Sequence, residues 1–110
     1  MKYRDLTNNP QRAIVDLDSS NGPEYTPDLD HGSIFRVDDT VDVTMSNPEN
    51  LKDGWYVRFE IKTGVTNTIT FGTQYTIDGV AISPVTNSNG LYILAGRYSE
   101  PLEKLLLKVV

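Results

Sequence analysis

The sequence predicts an all-β protein: a small antiparallel β-sandwich of about seven strands behind an extended N-terminal arm. Three observations carry that prediction. From Gly32 onward, apolar residues return at every second position, which is the side-chain period of a strand. Between these runs stand Asp78-Gly79, Asn89-Gly90 and other turn pairs, which supply the positive φ that tight hairpins demand. No stretch of useful length carries the 3.6-residue apolar period of a helix. At 110 residues, with 38% hydrophobic and 23% charged residues, the chain fits one domain with a core of modest size.

Residues 1–30 read differently from the remainder. Two polar runs, MKYRDLTNNPQ and DLDSSNGPEYTPDLDHG, are crowded with Asn, Asp, Ser, Pro and Gly, and the compact apolar group here is Ala13, Ile14, Val15 and Leu17. So small an apolar set gains little from its own packing. The segment 1–30 is therefore expected to be an arm that is ordered by lying on a partner, ahead of a sandwich domain at 31–110. Tyr3, Arg4, Arg12, Ile14, Val15 and Leu17 are its candidate partner-binding residues.

Beyond Gly32 each strand has its own signature. SIFRV sets Ile34 and Phe35 on opposite faces, and VDVTM sets Val41, Val43 and Met45 on one face. The turn NPENLKDG, anchored by Pro48 and closed by Gly54, feeds a strand in which Trp55, Val57, Phe59 and Ile61 alternate with Tyr56, Arg58, Glu60 and Lys62. That strand is expected to be central, with its apolar set facing the core. TNTITFGTQYTI continues with Ile69, Phe71, Tyr75 and Ile77 on one face. LYILAGRY and KLLLKVV are apolar on both faces, as in strands covered on both sides. Glu100 and Glu103 before Lys104 and Lys108 would also suit a helix, but the alternation of 104, 106 and 108 and the β-branched Val109 and Val110 favour a strand. The core of the fold is expected at Val43, Trp55, Val57, Phe59, Ile61, Ile69 and Phe71, with sheet edges covered by oligomerisation.

Charge and chemistry exclude more than they name. The chain has no cysteine, which excludes a disulfide framework, a thiolate metal site and a Cys nucleophile. No apolar run approaches the roughly 18 residues of a membrane span, and MKYRDLTNNP has no apolar signal core, so no membrane partner is expected. The net charge of −5 divides into +2 over residues 1–12, −8 over 13–53 and +1 over 54–110. Scattered Lys and Arg in an acidic chain argue against nucleic acid, while the slightly basic head suits an acidic neighbour. His31 is the single histidine and reads as a turn residue, which leaves no His-based triad or zinc set. Asp28, Asp30, Asp38, Asp39 and Asp42 lack the spacing of a calcium loop. They read as a solvated acidic segment, so no metal and no cofactor is expected. The exposed tyrosines among Tyr56, Tyr92 and Tyr98 suit binding of sugar or protein more than catalysis.

One resemblance bears on function. Asn47, Pro48 and Gly54 lead into Trp55, Val57 and Phe59, a short loop follows, and then come Thr68, Ile69, Thr70 and Phe71 with Tyr75 and Gly79. Over roughly residues 29–107 this pattern resembles the small β-domains of tailed-bacteriophage structural proteins, of capsid-decoration, head-fibre or tail-fibre type. The resemblance implies a non-enzymatic virion protein, made in the host cytoplasm. The loop KTGVTN departs from the family's usual one, and the chain stands without a fibre shaft or repeat. That favours a decoration or cement protein on the capsid surface, with the major capsid protein and neighbouring copies as partners and a homotrimer as the assembly. The alternative it implies is a tail-associated receptor-binding or adaptor module that recognises a host glycan through the TNSNG and KTGVTN loops.

Overall fold

Strands form wherever the apolar alternation runs. In a computed structural model that describes residues 13–17 and 23–110, those residues contain eleven strands and no helix. They are β1 (Ile14–Asp16), β2 (Glu24–Tyr25), β3 (Ile34–Asp38), β4 (Val43–Met45), β5 (Tyr56–Lys62), β6 (Thr68–Phe71), β7 (Tyr75–Ile77), β8 (Val80–Ala81), β9 (Val85–Thr86), β10 (Leu91–Ser99) and β11 (Lys104–Val109). A larger sheet has the order β1-β3-β5-β10-β11-β7-β8, and a smaller one β2-β4-β6-β9.

The order of the first six strands makes the chain a coil. Each strand on the larger sheet is followed by one on the smaller, so β1, β3 and β5 lie parallel in one sheet and β2, β4 and β6 lie parallel in the other. From the first turn of the coil to the second the register advances 20 residues in both sheets, Ile14 pairing Ile34 and Glu24 pairing Thr44. Stacking places like on like. Val15, Phe35 and Phe59 stand in one inward column, and Tyr25, Met45 and Phe71 in another. β7 still runs in the direction of β5, pairing parallel with β11. The chain first reverses at the β7–β8 hairpin, so that β9 pairs antiparallel with β6 and β10 with β5, and the β10–β11 hairpin fills the larger sheet between β5 and β7.

The core lies between the sheets. Phe35 and Phe59 stack with ring centroids 5.8 Å apart, Phe59 meets Tyr75 edge-on at 5.1 Å, and Tyr75 contacts Phe71 at 5.3 Å, separations at which aromatic pairs attract beyond simple area burial. Tyr75 is fully buried, so its hydroxyl needs a partner; it donates to the Ser46 carbonyl at 2.9 Å. Its ionisation is pushed well above the usual tyrosine range by burial. The glycine at 96 is required by space: a Cβ there would run into the Leu106 backbone carbonyl of the neighbouring strand.

Several expectations change here. The fold is all-β, but its sheets are mixed rather than antiparallel, and it has eleven strands rather than about seven. Period two fixes which side chains point inward but not whether the next turn reverses within a sheet or crosses to the other one, and here most turns cross. TNTITFGTQYTI is accordingly two strands in different sheets, joined at Gly72–Gln74. Asp78-Gly79, with φ of 54° and 80°, does make the β7–β8 hairpin. Asn89-Gly90 instead ends a turn, closed by the Gly90 amide on the Asn87 carbonyl at 3.0 Å, that carries the chain from the smaller sheet to the larger. The segment 104–109 is a strand, as its alternation indicated. Of the expected core, Val43, Val57, Phe59, Ile61, Ile69 and Phe71 are buried, while Trp55 is half-buried just before β5, with Lys52 Nζ 5.2 Å from its ring centroid.

Because Phe59 touches both Phe35 and Tyr75, Phe59→Ala should cost about 3–5 kcal/mol of unfolding free energy. Urea denaturation followed by fluorescence measures it, and a loss below about 1 kcal/mol would mean the aromatic column is not the core.

Candidate functional site

The segment expected to be an arm divides in two. Tyr3, Arg4 and Arg12 lie outside the described residues. Ile14, Val15 and Leu17 are inside, in and beside β1, where Val15 and Leu17 pack against the core and Ile14 faces out. Tyr25 and Leu29 are buried as well. Residues 13–17 and 23–30 therefore build the first turn of the coil, held by the amides of Ser33 and Leu17 donating to the carbonyls of Ala13 and Arg36 at 3.1 and 2.8 Å. Among the described residues β1 and β2 each have a strand partner on one side only, and both open edges lie at the same end of the stack. An open edge presents unpaired backbone donors and acceptors.

Alternation also fixes what the outer face of the larger sheet carries. Phe35, Val37, Val57, Phe59, Ile61, Leu94, Leu105 and Leu107 are buried, so their neighbours in each strand point outward. Those outward positions hold Arg36, Arg58, Lys62, Arg97, Lys104 and Lys108, six of the chain's ten basic residues. Asp16, Asp38 and Glu60 share the face, so six cations and three anions leave it at +3. The other described residues hold ten acids and Lys52, which is −9.

The face has two halves. Over β1, β3 and β5 three cations meet three anions: Arg36 Nε lies 2.8 Å and Arg58 Nε 2.7 Å from the Glu60 carboxylate, and a shallow depression of about 230 Å³ is lined by Asp16, Arg36, Asp38, Glu60, Lys62 and Leu91. The hydrogen bond from Arg58 holds the Glu60 carboxyl below its usual range, Arg36 pulls the same way and burial opposes both. Over β10 and β11 no acid of the described residues shares the face with the cations. Arg97, Lys104 and Lys108 make no ion pair among the described residues; Leu106 lies between the two lysines on β11 and pairs with Arg97 across the hairpin.

The loop joining those strands has the opposite sign. Glu100 and Glu103 flank Leu102, which is 56% exposed, and the loop is tied down by the Glu100 amide on Asp53 Oδ1 at 2.9 Å. Partial burial raises the Tyr98 hydroxyl pKa, and Glu103, Glu100 and Asp53 raise it further.

The remaining candidates separate. Asp28 and Asp30 lie at one end of β3, and Asp38, Asp39 and Asp42 at the other. Most are used as local acceptors: Asp28 takes the Asn50 side chain and the Asp30 amide, which hold its carboxyl below the usual range, Asp39 takes the Tyr25 hydroxyl at 2.6 Å, and Asp42 takes the Thr68 amide at 2.9 Å. Among the described residues no group of three or more His, Cys, Asp or Glu side chains is placed to hold a metal ion. His31 is a turn residue, 3.8 Å from Asp28. The two loops singled out for glycan do meet: the Asn87 amide donates to the Asn67 carbonyl at 3.0 Å, and the buried Asn87 side chain donates to Thr63 Oγ1 at 3.0 Å. Of the three tyrosines, Tyr56 lies on the outer face of the larger sheet, Tyr98 is buried, and Tyr92 is half-buried against the core with its ring centroid 6.1 Å from that of Phe71.

No protein-family model matches the chain, and no curated protein or solved structure matches it either.

Glu60 gives a pH-dependent prediction. Its folded pKa lies below the ordinary 4.5, so its stabilising contribution is complete above that value and fades as pH falls through the lower, folded one. Glu60→Gln should therefore cost about 0.5–1 kcal/mol at neutral pH, and the gap to the parent protein should close as urea denaturation is repeated at progressively lower pH. A gap that does not change with pH would contradict the pairing.

Proposed function

We propose that this chain is a non-enzymatic structural protein of a tailed-phage virion, a decoration or cement protein that binds the capsid surface beside copies of itself, three to a site. The observation that carries the reading is the end of the stack at β1 and β2. Among the described residues both sheets end there in a strand paired parallel on one side only, and residues 1–12 precede β1 in the sequence. Backbone pairing to an edge needs no chemistry beyond shape and register, which suits a protein that assembles by contact. The motif running from Asn47 to Gly79 supports the same reading by resemblance, which is an analogy of pattern.

A second reading, a tail module that binds a host glycan, is favoured by the junction of the Gly64–Asn67 and Asn87–Gly90 loops. Binding to capsids stripped of the protein separates the two readings, because a tail module does not saturate heads.

Removing residues 1–12 should lower co-sedimentation with stripped capsids at least tenfold and leave the urea midpoint unchanged. Binding equal to that of the full chain would remove the N-terminal segment from the account.

A further inference from the structure

We propose that the unbalanced basic strip on the β10–β11 hairpin, Arg97, Lys104 and Lys108 around Leu106, receives the Glu100–Glu103 loop of a second copy of this chain. This goes beyond the capsid-bound reading, since it concerns the protein alone in solution.

The two surfaces are complementary in charge and in pattern. On β11, Lys104, Leu106 and Lys108 stand on one face at every second position, with Arg97 beside Leu106 on β10. The loop presents Glu100, an exposed Leu102 and Glu103. None of these three cations and neither glutamate forms an ion pair among the described residues. Each surface thus offers an exposed or half-exposed leucine between charges that lack a partner, an arrangement in which a small apolar contact is rimmed by attraction.

A single copy cannot make this contact for itself. The loop is the turn of the same hairpin, and four residues of strand, about 13 Å, separate Lys104 from Lys108. A polyanion fits the face less well than an acidic protein surface. Asp16, Asp38 and Glu60 share the sheet and would repel phosphates, and the net charge of −5 repels a polyanion at a distance.

The test uses the full chain in sedimentation velocity over a concentration series at about 0.05 M and about 0.5 M salt, conditions that differ several-fold in screening. The parent protein should self-associate at low salt and lose at least tenfold in association constant at high salt. R97E/K108E and E100K/E103K should each be monomeric with unchanged urea midpoints, and an equimolar mixture of the two should associate, because one contact is then intact and the other reversed in sign on both sides. A parent protein that stays monomeric, variants that associate like the parent, or a mixture that does not associate would each overturn the proposal. So would a monomeric parent retained on heparin through Arg97 and Lys108, which would assign the strip to an anionic polymer.

Discussion

The structure depends on one constraint: from β1 to β7 each strand must leave one sheet and enter the other, so that every turn of the coil lies on the one before it. The inward columns are its consequence. Val15, Phe35 and Phe59 stand in line on the larger sheet and Tyr25, Met45 and Phe71 on the smaller, and the aromatic contacts between Phe59, Tyr75 and Phe71 tie the columns together. A column of this kind is long-range by construction, since each neighbour is 20 or more residues away in sequence. Its first turn is the short one, with strands of three and two residues, and Gly32 lets it seat closely: a Cβ there would lie 2.6 Å from the Ala13 carbonyl oxygen.

That arrangement explains what was legible beforehand. Alternation named the inward set from Val57 to Ile61 and from Ile69 to Phe71, because it depends on the pleat alone. It also marked 104–109 as a strand, while turn chemistry marked Asp78-Gly79 as a hairpin, where both residues take positive φ. Pairing was not legible. Whether a turn reverses or crosses is decided by which apolar columns line up, and a single strand of three to seven residues carries little of that information. Residues 13–30 illustrate the cost: Val15, Tyr25 and Leu29 look too few to pack by themselves, yet stacked on the second turn they are half-buried or buried.

The candidate surfaces follow from the same geometry. Summed along the chain, residues 54–110 amount to only +1. The larger sheet nevertheless collects Arg36, Arg58, Lys62, Arg97, Lys104 and Lys108 on one side, since each is at an outward position of its strand. The signal was present in the phase of the alternation, in residues such as Lys104 and Lys108 that flank a buried set, and not in the charge count. Half of that surface is neutralised internally by Asp16, Asp38 and Glu60, and the half over β10 and β11 has no ion pair among the described residues. Among the described residues, the surfaces this geometry leaves uncovered are a flat sheet face and two sheet edges.

The measurement that tests the coil most directly is the pattern of proton contacts between β3 and β5 in a nuclear Overhauser spectrum. Parallel pairing predicts amide-to-α contacts linking Phe35 with Phe59 and Val37 with Ile61, with no close α-to-α pairs between these strands. Strong α-to-α contacts between β3 and β5 would show antiparallel neighbours, and the stacked columns would then not exist.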